Sequence, residues 1–326
     1  MLNNKNALIS VAAFFLLFSA IHAGDYAVDF MAAGNGARAM GLAGAFSAVA
    51  DDASAYYWNP AGITQVLGAE VSSIKLINAG GIKPEYTSVN AVYNFGSEGG
   101  AVGAGYLRQS FVNIKIMNSD GTQAGYDRET SDNALTVTYA RAVSEWLSAG
   151  INLKVIFGSC PVVDGDVGYS GIGFDLAVIV NAGNIFKEMA GLKLGFNLQD
   201  PYTVIKWEAA HGYAGGSDGV NTNMKVGAVY DVVPAVLKRI NMSLGLSGDL
   251  DTRDNGAYHA GAEVKWNRYI SLRSGIKGYM NSAGDFRQDA GLSFGAGVEW
   301  NFLSVDYAYV TGNIEALQYV SLTGKF

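Results

Sequence analysis

Ala290-Gly-Leu-Ser-Phe-Gly-Ala-Gly-Val-Glu-Trp300 alternates without interruption. Ala290, Leu292, Phe294, Ala296, Val298 and Trp300 fall on one face, and Gly291, Ser293, Gly295, Gly297 and Glu299 on the other. A period of two is the signature of a strand with unlike faces. The bulky face holds no charge, and the opposite face holds small and polar residues.

Working outward, the same pattern recurs along most of the chain. One-sided sets include Leu135, Val137, Tyr139; Ile151, Leu153, Val155, Phe157; Ile172, Phe174, Leu176, Val178; and Leu192, Leu194, Phe196, Leu198. They continue with Met224, Val226, Tyr230; Ile240, Met242, Leu244, Leu246; Tyr258, Ala260, Val264, Trp266; Ile270, Leu272, Ile276; and Leu303, Val305, Tyr307, Tyr309. With less regular segments at 71–77, 87–95, 102–109 and 318–326, the pattern predicts about fourteen strands. Connections alternate between tight turns, as at Gly96-Ser-Glu98, Asn267-Arg-Tyr269 and Asn301-Phe302, and the long polar loops 114–132 and 201–222. A membrane barrel shows this asymmetry of turns. The second faces carry Gly, Ser, Thr and Asn with charges of mixed sign, Lys154, Asp175, Lys193, Asp249, Glu263, Lys265, Arg273, Lys277, Glu299 and Asp306, which suits a lumen better than a wet sandwich face. Tyr93, Phe95, Trp146, Trp266, Trp300 and Phe302 near strand ends suit an interfacial girdle.

Composition and export signals agree. Residues 1–23 carry one cation, Lys5, then an apolar run to Ala20 and a small residue at Ala23, the pattern of a cleaved secretory signal peptide. Removing Lys5 from the 22 basic residues leaves 21 against 29 acidic ones and takes the net charge from −7 to −8, which argues against a nucleic-acid partner. Charged residues make up only 16%, against roughly 25% in soluble domains. The single cysteine, Cys160, excludes an internal disulfide framework and any multi-cysteine metal site. The chain ends on Phe326, in register with Val320, Leu322 and Gly324, a pattern that resembles the C-terminal signal of outer-membrane barrels.

One stretch does not alternate. From Gly34 to Gly62 the chain is rich in Gly and Ala, then presents Tyr56-Tyr57-Trp58 before Asn59-Pro60-Ala61, where the proline stops a helix. Gly36-Ala-Arg-Ala-Met-Gly-Leu-Ala-Gly-Ala-Phe46, Ala50-Asp-Asp-Ala-Ser-Ala55 and Trp58-Asn-Pro-Ala-Gly62 resemble the N-terminal signature of PorV/PorQ-like outer-membrane proteins, a branch of the FadL-type family. The resemblance implies an all-β fold: a transmembrane antiparallel β-barrel of fourteen strands in the cell outer membrane, with an N-terminal hatch inside it. The expected organisation is therefore a signal peptide (1–23), a hatch or plug (24–68) and a transmembrane barrel (69–326).

For function, the FadL-type resemblance implies passage of a small hydrophobic compound. Phe46, Tyr56, Tyr57 and Trp58 with Asn59, Pro60 and Ala61 are then the expected ligand-facing hatch residues, although such rings also serve to pack a plug against its wall. A lateral gap is expected at Gly103, Gly105 and Arg108: Arg108 shares the face of Tyr106, and a charge at mid-membrane calls for a kinked or ended strand. The PorV/PorQ-like resemblance implies instead a protein-binding component of type IX secretion or surface attachment. Outer-membrane lipid is an expected partner of either.

Enzyme and cofactor patterns are weak. Gly34-Asn-Gly-Ala-Arg-Ala39 fits the dinucleotide fingerprint but follows no hydrophobic strand. Gly291-Leu-Ser-Phe-Gly295 fits the serine-hydrolase pattern, with His211 or His259 as possible bases, which leaves a lipase or esterase as a remote alternative; it lies inside the most regular strand, where no nucleophile elbow forms. Asp164, Asp166, Asp249 and Asp254 lack the ligand run of a calcium loop and read as solvated acids. The sequence thus predicts no catalytic residues, no metal and no cofactor.

Overall fold

A computed structural model describes residues 29–326 except 79–83, 119, 124–126, 211, 233–236, 238–240, 253–255, 268, 280–290 and 313–315. The expected signal peptide (1–23), His211 and Asp254 lie outside the described residues. Among the described residues, sixteen strands form: β1 (Ala69–Asn78), β2 (Pro84–Asn94), β3 (Ala101–Phe111), β4 (Ser131–Ser144), β5 (Leu147–Val162), β6 (Gly165–Asn181), β7 (Leu192–Gln199), β8 (Val204–Trp207), β9 (Gly216–Gly219), β10 (Asn223–Val232), β11 (Met242–Asp251), β12 (Ala257–Trp266), β13 (Ile270–Tyr279), β14 (Gly291–Trp300), β15 (Leu303–Val310) and β16 (Leu317–Lys325).

Each strand pairs antiparallel with its neighbour, and β16 returns to β1, with Glu70 opposite Lys325 and Asn78 opposite Leu317. Fourteen strands close the ring, because β7 pairs directly with β10. Closure leaves no open edge in the wall, as a barrel in hydrocarbon requires. β8 and β9 are an outward continuation of the β7 and β10 pair, inside what the sequence shows only as a polar loop. No described helix is long and apolar enough to cross a membrane.

The alternation sorts residues as the pattern predicts. Val137, Leu153, Leu272, Phe294, Val298 and Val305 point outward and are exposed, whereas Lys154, Asp175, Asp249, Glu263, Arg273 and Asp306 point inward and are buried. A closed cylinder with large apolar side chains on its outer wall and charge inside is a membrane-spanning barrel. At the short-turn end the exposed rings Tyr93, Phe95, Tyr269, Trp300 and Phe302 form a girdle with Phe326. Trp300 and Leu303 pair across a two-residue turn, with Asn301 at φ 56, a conformation asparagine accepts readily.

The lateral gap expected at Gly103, Gly105 and Arg108 is not where the wall is irregular. β3 is in unbroken register with β2 from Ala101 to Phe111 and with β4 from Ala101 to Gln109. Arg108 does point outward, but it lies beside Thr87 and Lys75 in a row just beyond Val89, Tyr106 and Leu135. Its charge is placed at the upper edge of the apolar belt, so no kink is needed. Among the described residues the register shifts in two other places: by one residue between Ala142 and Ser144 at the β4–β5 turn, and by two residues that bulge between β7 and β8, where Asp175 pairs with Gln199 yet Ile172 pairs with Val204. Asp200 (φ 55) and Tyr202 (φ 70) take the turn.

This placement is testable by refolding into lipid vesicles. Val137→Arg is expected to cost about 2–4 kcal/mol, the penalty for a cation near mid-bilayer, whereas Arg108→Leu stays within about 1 kcal/mol of the parent.

Candidate functional site

Residues 29–66 are folded inside the cylinder with little regular structure: 3-10 turns at Asp29–Ala32 and Pro60–Gln65, and single helical turns at Ala37–Gly41 and Ala55–Trp58. Asp29–Ala32 is not a strand, so the dinucleotide pattern at Gly34–Ala39 has no βα unit around it. So short a helix leaves its terminal carbonyls unpaired. The wall supplies the donors. Asn152 Nδ2 donates to the carbonyl of Tyr56 (2.8 Å), Gln199 Nε2 to that of Tyr57 (3.0 Å) and Asn197 Nδ2 to that of Trp58 (2.9 Å).

Asn59 joins this helix to the next turn. Its Oδ1 accepts from the Ala61 amide (3.0 Å), capping the turn that Pro60 opens, and its Nδ2 donates to the carbonyls of Ser47 (2.8 Å) and Val178 (3.1 Å). Upstream, the wall again answers the backbone. Tyr86 and Tyr319 donate to the carbonyls of Gly34 (2.6 Å) and Ala33 (2.8 Å), and Ser321 Oγ accepts from the Ala37 amide (2.7 Å). Asp249 Oδ2 accepts from the amides of Phe46 (3.1 Å) and Ser47 (2.8 Å), and Glu70 from that of Ala53 (3.0 Å). Asp249 is therefore a backbone acceptor rather than a solvated loop acid.

Close approach is permitted by glycines on the inward face. A Cβ at Gly105 would enter the Tyr56 ring, one at Gly150 the Pro60–Ala61 backbone, and one at Gly195 the Ser47–Ala48 backbone. Gly105 is thus a seat for a ring, not a hinge in the wall.

At the short-turn end the contacts are ionic. Arg38 forms a two-pronged pair with Glu263 (3.1 Å on both arms) and also meets Asp51 and, at 3.2 Å, Asp52. Glu263 and Asp306 share Arg273, each at 2.6 Å. Desolvation alone would raise the Asp51 carboxyl, but Arg38 and then Lys265 hold it below its ordinary value. A polar cavity of about 330 Å³ lies here, bordered by Lys193, Asp231, Lys265 and Arg38.

The long-loop half differs. Leu76, Tyr86, Leu107, Ile156, Ile205 and Tyr319 all point inward, are buried, and pack in one cluster with Phe30. Two cavities adjoin this half, with Tyr57 in both. One, of about 30 Å³, is bounded by Met31, Tyr56, Tyr57, Leu107 and Lys154; the other, of about 120 Å³, by Met40, Tyr57, Trp58, Lys225, His259 and Lys277. Of the seven hatch residues that the sequence singles out, Tyr56, Tyr57 and Trp58 reach a cavity. Phe46, Asn59, Pro60 and Ala61 are fully enclosed and border none of these cavities; Phe46 packs edge-on against Trp58 at 6.1 Å. Tyr57 is half-buried, and its hydroxyl donates to the Met31 carbonyl (2.7 Å) and accepts from the Gly34 amide (3.0 Å).

The apolar inner sector was not anticipated from alternation. Its signal is the run in which both faces are apolar, as in Leu76-Ile77, Tyr106-Leu107 and Val155-Ile156-Phe157. Ser293 lies inward within β14, in the middle of a strand, and His259 Nδ1 bonds the Ala43 carbonyl at 2.6 Å, so the hydrolase pattern has no elbow here.

Comparison with protein-family models and with curated proteins gives no match in sequence. Solved structures do match in fold. The CymD monoaromatic hydrocarbon channel superposes with a TM-score of 0.62 at 13% identity, over 93% of this chain and 99% of that one. The toluene transporter TodX of P. putida gives 0.55 at 12%, over 90% and 99%. A FadL homologue of Pseudomonas aeruginosa gives 0.54 at 12%, over 88% and 97%. The chain has the fold of FadL/TodX-type barrels. At these identities the likeness speaks for architecture alone.

Removing Asn59 tests the anchoring. Asn59→Ala strands several buried backbone groups and is expected to lower unfolding stability by about 2–4 kcal/mol, at roughly 1–3 kcal/mol for each unsatisfied group, read from denaturant unfolding in detergent. Tyr57→Phe is expected to cost about 1 kcal/mol.

Proposed function

We propose that this chain is an outer-membrane barrel, exported with loss of residues 1–23, whose N-terminal segment 24–68 acts as a plug and which takes small hydrophobic compounds into its long-loop half. The observation that carries this reading is the inward apolar sector Leu76, Tyr86, Leu107, Ile156, Ile205 and Tyr319, contiguous with Met31 and Tyr57. A barrel that only admitted water-soluble solutes has no use for bulky apolar side chains on its inner wall; an apolar solute gains from leaving water there. The shared fold with a toluene transporter and a monoaromatic hydrocarbon channel supports the reading. Tyr57, with Tyr56 and Trp58, would meet the compound where the apolar sector ends. The bulge at Asp200–Thr203, rather than Gly103–Arg108, is then the segment of wall to examine for a side path.

A second reading, binding of secretion or attachment proteins as in PorV/PorQ-type components, draws on one observation: the inner segment is tied to the wall on every side, as suits a static scaffold. Uptake separates the two. Vesicles holding the barrel are expected to accumulate labelled toluene faster than empty vesicles. Leu107→Glu, which puts a carboxylate in the apolar sector, is expected to reduce that rate at least about tenfold while the barrel still folds. Equal rates with and without the parent barrel, together with co-purification of secretion components, would favour the second reading.

A further inference from the structure

The 120 Å³ cavity beyond Trp58 holds polar atoms that passage of a hydrocarbon leaves unused. His259 of β12 borders it and is more than nine-tenths buried. Its Nδ1 lies 2.6 Å from the Ala43 carbonyl, an oxygen that can only accept, so Nδ1 carries the ring hydrogen. In the neutral ring Nε2 is then a lone-pair acceptor, and it has no hydrogen-bond partner among the described residues.

Lys277 of β13 is the direct cross-strand partner of His259, so the two side chains leave the wall side by side on the same inward face. Its Nζ lies 4.9 Å from the Tyr279 ring centre and pairs with no carboxylate among the described residues, and the side chain reaches the same cavity. Lys225 and Asp251 border the cavity as well, but both are engaged, with each other at 3.4 Å and with further neighbours. The acceptor and the donor left to a guest are His259 Nε2 and Lys277 Nζ.

The facing side is aromatic. Tyr57 and Trp58 border the cavity with ring centres 4.9 Å apart and planes at 73°, which makes a corner for a flat guest. Gly44 keeps that corner clear, since a Cβ there would come to 3.2 Å from Trp58 and 3.3 Å from His259 Nδ1. The volume is close to the roughly 150 Å³ in which an apolar cavity takes up one benzene, so it suits a single ring. A hydrocarbon here leaves Nε2 and the ammonium stripped of water and unpaired, which is costly. A carboxylate would set its charge against the Nε2 lone pair. A hydroxyl on the ring satisfies both groups: its O–H donates to Nε2 and its oxygen accepts from the ammonium.

We propose that this cavity is a binding site for a phenol, its hydroxyl held between His259 Nε2 and Lys277 Nζ and its ring laid in the corner of Tyr57 and Trp58. The inference rests on the reading of the barrel as a binder of small hydrophobic compounds and narrows that class, at this position, to single rings bearing a hydroxyl.

Phenol and toluene differ only by a hydroxyl in place of a methyl group, which makes them matched probes. Equilibrium dialysis of the full barrel in lipid nanodiscs, with empty nanodiscs subtracted, is expected to show saturable phenol binding. His259→Asn keeps an N–H near the place of Nδ1 for the Ala43 carbonyl and removes Nε2; it is expected to weaken phenol about fivefold, the value of one neutral hydrogen bond, and to leave toluene unchanged. Lys277→Met keeps the apolar stem and loses the ammonium; it is expected to weaken phenol about tenfold, the value of one charge-assisted bond, without weakening toluene, a selectivity that a misfolded variant does not mimic. Toluene binding without phenol binding, or phenol binding indifferent to either substitution, would overturn this site and leave the hydrophobic-transport reading standing. Failure of both probes would overturn both.

Discussion

An irregular backbone can be enclosed in a barrel only if its amides and carbonyls are paired, because an unpaired buried peptide group costs on the order of 1–3 kcal/mol. Residues 29–66 contain only single helical turns and short 3-10 turns, and although turn bonds such as Met40 N–H to Gly36 and Ala50 N–H to Phe46 pair part of their backbone, other polar groups are left to find partners outside the segment. The lumen side chains close the account. Asn152, Asn197 and Gln199 cap one helical turn, Tyr86 and Tyr319 hold two carbonyls, and Ser321, Asp249 and Glu70 receive amides. The polar inner face of the barrel is therefore a template for one conformation of one segment, and inward glycines set how closely that segment sits.

The same template divides the lumen. Near the short turns, Arg38 binds Glu263, which with Asp306 grips Arg273, so the inner segment and three wall strands share one buried network. Breaking a member would leave a buried charge uncompensated, which makes such a network costly to open. Near the long loops, bulky apolar side chains line one sector beside the buried Lys154, Asp175 and Asp200, and two cavities border Tyr57. The rings of Tyr56, Tyr57 and Trp58 stand at the boundary between these regimes.

Much of this arrangement is legible in the amino-acid sequence. Alternation fixes which residues face lipid, because a one-residue slip would turn every charge outward; Leu292 to Trp300 and the ten lumen charges lie where period two puts them. The small residues of 34–55 mark a segment with no room for bulk. What escaped the sequence depends on partners distant along the chain. Gly105 looks like a weak point in a strand until Tyr56 is found in the space a Cβ would fill. Arg108 looks misplaced until its height relative to Tyr106 and Leu135 is known. The loop 201–222 is polar in composition, yet backbone pairing to β6 makes strands of Val204–Trp207 and Gly216–Gly219. Phe46 and Asn59 were expected near a ligand for their type and place in the motif, and they act in packing and anchoring.

Amide hydrogen exchange of the intact barrel in lipid probes the central claim most directly. The amides of Ala37, Phe46, Ser47 and Ala53 belong to no strand ladder and donate to Ser321, Asp249 and Glu70 of the wall, that of Phe46 also to the Gly44 carbonyl. If the wall templates the inner segment, these four exchange as slowly as amides of the neighbouring strands. Exchange at the rate of an unstructured peptide would contradict it.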